Sequence, residues 1–336
     1  MGSHRRLAPS GFDRGAAALC VLSAAAAALG AVPAQAAPHG GTRAEVDRLY
    51  EEAERATQAF DKAAERAGAL RRQVRDAQDR IARQQQRVNT LREHLGSLAG
   101  AQYRSGGVDP AVALLFADDP DDYLDKAATL DRIGTRQAGQ LRELRSALRE
   151  LAQERAEATG KLAELDRSRK AVATHKRTVV KKLAAARRLL DSLPPADRAA
   201  YGRASRGSRV DLPDPAGSLV AGGRAAAALA AARSALGRPY VWGANGPSGF
   251  DCSGLMQWSY AHAGIHLPRT SQEQRLAGRR VPLSQARPGD LVVYRSDASH
   301  VAMYAGNGQV IHAPYPGAPV RYDPVGMMPV SSVTRP

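Results

Sequence analysis

The chain has 336 residues, with 48 lysines and arginines against 33 aspartates and glutamates, a net charge of +15 and two cysteines. Its length fits two domains of ~150 residues with connecting segments. A hydrophobic content of 43% excludes a wholly disordered chain, and two cysteines exclude a disulfide framework or a cysteine-rich zinc module. The positive charge favours an anionic partner, namely nucleic acid, a membrane surface or an acidic polymer.

Residues 1–36 have the parts of a secretory signal peptide: a basic start, an uncharged apolar run over 16–32, and Ala34-Gln35-Ala36 as a cleavage site. A transmembrane anchor is the alternative, but the run is short for spanning a bilayer. We therefore predict a secreted or extracytoplasmic protein whose mature chain keeps one cysteine, Cys252. Export argues against nucleic acid as the partner, since the abundant polyanions outside a bacterial membrane are cell-wall polymers and lipid head groups.

Two heptad repeats predict a pair of long helices that pack as a coiled coil over residues 42–193. The first repeat runs from Val46 to Leu98, and Gln84 is the single polar residue in its two registers. The second runs from Leu141 to Leu193 with three polar breaks. One register of the second repeat holds Leu141, Leu148, Leu162, Leu183 and Leu190. An antiparallel hairpin is the simplest arrangement, and a parallel homodimer is the alternative.

Residues 105–120 are predicted to form a short helical tip between the two helices. The tip contains Val112, Leu114, Leu115 and Phe116, which make it too apolar for a plain turn. One interpretation is a small cap packed on the end of the hairpin, and the other is a docking surface for a membrane partner. Residues 194–223 are rich in Pro, Gly, Ser and Arg, which predicts a flexible linker.

Residues 224–336 contain a candidate nucleophile, Cys252, followed by two candidate partners, His300 and His312. Cys252 lies at the predicted N-terminus of a helix, where free N–H groups and the helix dipole favour the thiolate and lower the thiol pKa. The two histidines fall on successive predicted strands. Thiolate, general base and orienting group in this order follow papain-like logic, in which His300 holds the thiol proton and His312 fixes its ring.

The turn between the two histidine strands decides whether this triad can exist. A two-residue turn at Asn307-Gly308 in a regular hairpin pairs Met303 with His312 and leaves His300 on the opposite face. A three-residue loop over 306–308 pairs Ala302 with His312 and brings both imidazoles to one face. The sequence therefore predicts an odd-length or bulged hairpin, which the glycines here permit.

The motifs of this region resemble those of NlpC-type cell-wall peptidases in order, spacing and flanking residues. They are Tyr240-Val241-Trp242-Gly243, Phe250-Asp251-Cys252-Ser253-Gly254-Leu255, Arg269-Thr270-Ser271-Gln272, Arg287-Pro288-Gly289-Asp290-Leu291, His300-Val301-Ala302-Met303-Tyr304 and Ile311-His312-Ala313. The resemblance implies an α+β papain-like domain with an antiparallel sheet packed against helices. It also implies Cys252 as nucleophile, His300 as base, His312 as third member and Tyr240 as a hydroxyl near the thiolate.

By the same resemblance, the substrate is peptidoglycan, cleaved in its stem peptide between D-γ-glutamate and a diamino acid. Asp251, Ser253 and Arg269 are then expected to line the pocket. The N-terminal helices are similar to the coiled-coil modules of division-linked wall hydrolases, which implies a regulatory or targeting module. Its expected partner is a membrane-embedded activator of the division complex that binds the tip.

Two other functions use the same residues. An amidase or acyltransferase acting on another substrate would also form an acyl-enzyme on Cys252. A division scaffold would only bind cell wall, although a pure binder needs no nucleophile. No organic cofactor is expected, and no metal, because one thiol and two strand-borne histidines lack the close ligand pairs typical of zinc sites.

Overall fold

The computed structural model describes residues 39–104, 112, 119–198 and 223–336. The predicted signal peptide, most of the tip over 105–120 and most of the linker over 194–223 lie outside these described residues. Within the described ranges, no helix combines the length and the apolar character needed to cross a membrane.

Two long helices form an antiparallel hairpin within one chain. Helix α1 spans His39–Arg104 and helix α2 spans Pro120–Ser192. Asp119 caps α2, because its carboxylate accepts the N–H of Asp121 at 3.1 Å. Side-chain contacts cross the hairpin with rising numbers on α1 and falling numbers on α2. They join Arg66 to Glu164, Gln84 to Glu150 and Arg87 to Glu143. Of the two arrangements left open above, the chain therefore adopts the hairpin.

The predicted apolar registers of α1 are buried along much of the helix, whereas only one of the two predicted registers of α2 is buried. The buried heptad positions of α1 are Val46, Leu49, Ala53, Ala56, Ala67, Leu70, Val74, Ala77 and Val88. The register predicted through Leu144, Leu151, Ala158, Leu165, Val172, Val179, Ala186 and Leu193 is buried at six of these positions, all but Leu144 and Val172. Leu141 and Leu162 of the other register lie on its flank. Leu141 is 45% exposed and Leu162 is 49% exposed, and their predicted core positions are wrong.

The C-terminal domain is a six-stranded sheet with helices on one face, and each strand pairs antiparallel with its neighbours in the order β1-β6-β2-β3-β4-β5. Its helices are α3 (Gly223–Ser234), α4 (Cys252–His262) and α5 (Ser271–Gln274). Its strands are β1 (Arg279–Val281), β2 (Leu291–Tyr294), β3 (His300–Gly306), β4 (Gln309–His312), β5 (Arg321–Pro324) and β6 (Val330–Arg335). The stretch from Tyr240 to Gly243, predicted as a short strand, contributes an isolated bridge from Tyr240 to Phe250 instead.

The domain has an apolar core of its own. One cluster joins α3 and α4 to the sheet, with Leu229, Met256, Leu291 and Ile311 among its buried members. A second, smaller cluster covers the other face around Val292. All buried members of both clusters come from residues 228–333, so the hairpin contributes nothing to this core.

A bulge sets the register of the strands that carry the two histidines. Asn307 and Gly308 have positive φ angles of 54° and 69°, as a tight two-residue turn requires. The pairing is irregular between Tyr304 and Gly306, so the register moves by one residue to Met303↔Ile311. The prediction of a bulged or odd-length hairpin is confirmed, although a two-residue turn with a bulge replaces the three-residue loop.

Candidate active site

Cys252 is the first residue of α4, as its sequence context predicted. The Asp251 side chain caps this helix, since its Oδ1 accepts the N–H of Gly254 at 2.7 Å. A Cβ atom at position 254 would lie 2.2 Å from the carbonyl oxygen of Ala244, so only glycine fits this close approach. The cysteine is thereby clamped between the helix start and the loop that precedes it.

A line of hydrogen bonds runs from His300 across the sheet. His300 Nε2 lies 2.8 Å from His312 Nδ1, and His312 Nε2 lies 2.8 Å from Asp323 Oδ2 on β5. All three side chains are buried. The structure thus brings the two predicted histidines together and adds a carboxylate that was not predicted.

The thiol environment differs from the prediction. Cys252 Sγ lies within 4.8 Å of the nearest nitrogen of His300, but the residue is 0% exposed. Burial, followed by the negative charges of Glu54 and Asp251, raises the pKa of the thiol well above its usual value. The predicted lowering by the helix N-terminus is therefore wrong for this arrangement, because desolvation and nearby carboxylates outweigh the dipole.

The hairpin contributes polar groups that lie against the thiol. Glu54, Gln58 and Asp61 lie at i, i+4 and i+7 on one side of α1, and we call these three residues the docked face. Gln58 Nε2 lies 3.5 Å from Cys252 Sγ, and Gln58 Oε1 accepts the backbone N–H of Ser271 at 2.8 Å. The carboxamide of Gln58 therefore occupies the space in front of the candidate nucleophile.

Glu54 binds the candidate base directly. Its Oε1 contacts His300 Nδ1, and its Oε2 accepts from Arg295 Nη1 at 2.5 Å. Burial alone would raise the pKa of Glu54, but His300 and Arg295 outweigh it and lower the pKa to about 2. Nδ1 of His300, the ring nitrogen that does not contact His312, is thus engaged by a carboxylate from α1.

The predicted pocket residues form one charged cluster. Arg269 donates to Asp251 Oδ1 at 3.0 Å and to Ser253 Oγ at 2.9 Å. Asp61 Oδ2 lies 3.2 Å from Arg269 Nη2. Burial and the neighbouring Asp251 raise the pKa of Asp61 to about 8. At neutral pH the Asp61 carboxyl group is therefore protonated. It shares Arg269 with Asp251, and an ionised Asp61 would be repelled by the ionised Asp251.

Aromatic contacts extend the interface between α1 and the C-terminal domain, which we call the seam. Phe60 meets Trp242 edge-on with ring centroids 5.2 Å apart, and Tyr50 stacks on Tyr315 at 5.0 Å. A cavity of about 300 Å³ remains beside them, and Tyr240 lines it. Burial and nearby Cys252 raise the pKa of the Tyr240 phenol well above its usual value, so this hydroxyl stays protonated.

One group of side chains has the donor types of a transition-metal site. Atoms of Glu54, Cys252 and His300 lie within 4.8 Å of one another. Arg295 already balances the charge of Glu54, however, and Glu54 directly contacts the imidazole. A cation there would have to displace both contacts, so the arrangement fits an ion-paired seam better than a metal centre.

Sequence reasoning missed the docked face and Asp323. Heptad analysis weighs apolar positions, and polar side chains at i, i+4 and i+7 on a helix normally lie on a solvated face. Asp323 follows in a strand, β5, that was not predicted. A search for acidic residues near a histidine strand would have named Asp323 as one of several candidates.

Residues 237–333 match the model of the NlpC/P60 family. The chain is 46% identical over 105 residues to a probable endopeptidase of Mycobacterium tuberculosis, a match that covers 31% of this chain and 27% of that protein. It is 49% identical over 113 residues to the peptidoglycan endopeptidase RipA of Mycolicibacterium smegmatis, covering 29% and 23%. The chain thus spans about a quarter of the length of these curated relatives.

The solved P60 domain of an antigen from M. avium subspecies paratuberculosis aligns with 38% identity, covers 33% of this chain and 93% of that chain, and gives a TM-score of 0.32. The family match falls on the C-terminal domain, where the cysteine, both histidines and the antiparallel sheet lie. Residues 237–333 are therefore a domain of the NlpC/P60 type.

Proposed function

We propose that the protein is an exported cysteine endopeptidase that hydrolyses peptidoglycan stem peptides. The observation that carries this proposal is the hydrogen-bonded pair His300–His312 at 2.8 Å, with Cys252 Sγ within 4.8 Å of His300. Membership of the NlpC/P60 family supports the substrate class, since one relative is named a peptidoglycan endopeptidase. A role outside the cytoplasmic membrane agrees with the signal peptide predicted over residues 1–36.

In the proposed reaction, Nδ1 of His300 takes the proton from Cys252, and the thiolate attacks the carbonyl carbon of the scissile amide. The backbone N–H of Cys252 is our candidate donor to the oxyanion. His300 then gives its proton to the leaving amine, which produces an acyl-enzyme. Water, deprotonated by His300, attacks the thioester and restores the thiol. His312 keeps the ring of His300 in the orientation that both transfers need.

The scissile bond we propose joins D-γ-glutamate to a diamino acid. Arg269, Asp251 and Ser253 form a polar wall beside Cys252 that suits the charged ends of such a peptide. Tyr240 lines the cavity on the other side. These four residues are proposed to hold the substrate, and Cys252 with the two histidines to carry out the chemistry.

We propose that the hairpin is a regulatory module that keeps this site latent. The docked face leaves Cys252 without exposed surface and engages His300 through Glu54. Peptide hydrolysis then requires α1 to leave the cleft. An activator in the membrane-embedded division complex, bound near the hairpin tip, would supply that step, and peptidoglycan and this activator are the partners we propose.

The test compares products released from purified peptidoglycan by the full-length protein and by its Glu54→Ala/Gln58→Ala variant. We expect the variant to release stem peptides much faster than the unchanged chain and to generate a new free amine on the diamino acid. Cys252→Ala in the same background is the matched control and should release nothing.

Other outcomes distinguish the alternatives. Products with a different new end group would indicate amidase or acyl-transfer chemistry on another bond. No release by the double variant, with Cys252 reduced and the fold intact, would contradict the endopeptidase. A scaffold that only binds cell wall would then be favoured if Cys252→Ala also left cell separation unchanged.

A further inference from the structure

The orienting histidine is itself held by a carboxylate on the neighbouring strand. Asp323 on β5 pairs with Val310 on β4, two residues before His312, and therefore lies on the same face of the sheet. Its Oδ2 lies 2.8 Å from His312 Nε2 and 2.8 Å from Nε of Arg321. Asp323 is 8% exposed, so these contacts are shielded from water.

A histidine needs such a partner if it is to orient another histidine. A neutral imidazole has one donor and one acceptor nitrogen, so a hydrogen bond between two imidazoles can run in either direction. Burial alone would raise the pKa of Asp323, but the contacts with His312 and Arg321 outweigh it and lower the pKa, so the group is an ionised acceptor. Burial lowers the pKa of His312 to about 4, so this ring is neutral at neutral pH.

The direction of every proton in the line follows from these two facts. Nε2 of His312 must carry its proton, because Asp323 can only accept. Nδ1 of His312 then has the lone pair and accepts from Nε2 of His300 at 2.8 Å. A neutral His300 is therefore left with its lone pair on Nδ1, the nitrogen that Glu54 contacts in the docked state.

We propose that Asp323 is a positioning residue that fixes the tautomer of His312 and, through it, makes Nδ1 of His300 the base. This inference rests on the base role of His300 in the proposed function. It also assigns a part to Arg321, which keeps Asp323 ionised and oriented. The working unit is then a four-residue line, Cys252–His300–His312–Asp323.

The groups around this hydrogen-bonded line imply that the contribution of Asp323 is largest after α1 leaves the cleft. His300 faces Glu54 from α1, Cys252 from α4, and His312 from β4, and it also contacts the ring of Tyr294 on β2. His312 faces Asp323 and, through it, Arg321. In the docked state the Glu54 carboxylate contacts Nδ1 of His300. Once α1 leaves, Asp323 remains as the carboxylate at the end of the hydrogen-bonded line.

The first test reads the tautomer directly. Full-length protein labelled with ¹⁵N-histidine should show His312, assigned with His312→Gln, protonated at Nε2 and not at Nδ1. Asp323→Ala should shift His312 toward a mixture of tautomers, whereas Asp323→Asn, which keeps an acceptor oxygen, should retain the original one. This measurement needs no turnover and is independent of the substrate.

The second test measures the pH dependence of Cys252 alkylation by iodoacetamide in the Glu54→Ala/Gln58→Ala background. Loss of the Asp323 charge destabilises the protonated His300, so both variants should move the midpoint to higher pH. For Asp323→Ala we expect roughly a 10-fold to 100-fold slower reaction at pH 7, less than the ~10⁴-fold cost of a wrong tautomer at a directly orienting residue.

A purely structural role would lower the thermal stability without moving the midpoint or the tautomer, and that result in both variants would overturn the proposal. Failure of the double variant to cleave peptidoglycan, with both readouts as expected, would contradict the proposed substrate and leave the role of Asp323 intact. The two hypotheses therefore fail separately.

Discussion

The near end of the hairpin buries polar side chains, and its far end exposes apolar ones. At the near end, Glu54, Gln58 and Asp61 are 6%, 2% and 3% exposed against the catalytic domain. At the far end, which we define as residues 98–104 and 120–141, the large hydrophobic side chains lie in solvent. They include Tyr103 at 85%, Leu124 at 62% and Ile133 at 45% exposure.

This inversion of the usual pattern indicates that the two ends have different tasks. Polar groups buried in a seam regain hydrogen bonds to water when the seam opens, so their net contribution to docking is modest and docking can be reversed. Exposed apolar side chains are removed from water when a partner covers them, and this burial stabilises the complex. The near end is therefore suited to reversible docking on the catalytic domain, and the far end to binding a partner.

The largest effect is expected from breaking the near end at Glu54. Glu54→Gln leaves Arg295 and His300 without their buried carboxylate, and losing one partner of a buried pair costs ~3–5 kcal/mol. We expect alkylation of Cys252 by iodoacetamide in the full-length protein to become roughly 100-fold faster. Glu52→Gln, which removes a more exposed carboxylate two residues away on α1, is the control. Equal rates for Glu54→Gln and the unchanged chain would contradict a seam held by this contact.

Asp61 gives the seam a pH dependence of opposite sign. Its pKa is raised from 3.8 to about 8 in the docked state, so docking binds a proton and weakens as the pH rises between these values. Asp61→Asn mimics the protonated form and should hold α1 in place.

The alkylation rate of the unchanged chain, divided by that of Asp61→Asn, should therefore rise roughly 50-fold from pH 6 to 8 and level off above. Taking this ratio cancels the ionisation of the thiol itself. A ratio that stays flat across this range would show that Asp61 does not titrate in the seam. Glu54, whose docked pKa is about 2, acts in the other direction and loosens the seam only in acid.

Phe60 should contribute less than either carboxyl group. Its edge-on contact with Trp242 has the geometry of aromatic pairs that add ~0.5–1.5 kcal/mol beyond area burial. Phe60→Leu keeps an apolar side chain but loses the ring, and we expect alkylation to become about threefold to tenfold faster. Trp242→Leu should match it, and the double variant should add little to either single change. Additive effects would mean that the rings do not act as a pair.

The smallest effect on the purified protein is expected at the far end. Leu124→Ser with Ile133→Ser removes apolar surface from the far end without changing the seam. The alkylation rate of Cys252 should therefore stay within about twofold of that of the unchanged chain. In cells, release of peptidoglycan fragments should fall, because the proposed activator loses its contact. Val180→Ser, at an exposed apolar residue outside the far end, should not reduce it. An equal fall with Val180→Ser would argue against a localised docking surface.

The proposed catalytic residues could be predicted because their chemistry is local to short motifs. Cys252 at a helix start and two histidines on adjacent strands are visible in the sequence, and strand alternation alone required the bulge near Gly306. Asp323 could not be predicted, because its role depends on a fifth strand placed beside His312. The sequence predicts a lowered pKa for Cys252, whereas the structure raises it. The helix N-terminus is visible in the sequence, but the contact with the Glu54 carboxylate is not.

The docked face could not be predicted for a related reason. Gln58 and Cys252 are 194 residues apart, and no local pattern distinguishes a polar helix face that meets water from one that meets another domain. The apolar registers of α1 were read correctly because burial against α2 repeats every seven residues. A contact that occurs once along the chain has no period to detect.

Because α1 is long, a weak force at its far end produces a large torque at the docked face. The helix is continuous over 66 residues, about 100 Å at 1.5 Å per residue, and the docked face occupies only two turns of it. Arg104 lies about 65 Å along the axis from Asp61. A sideways force at the far end therefore acts on the seam through a long lever arm, and the torque can separate the docked contacts one after another. In the proposed latent state, a small sideways force near Arg104 would therefore begin to expose Cys252, and no activator would have to enter the cleft.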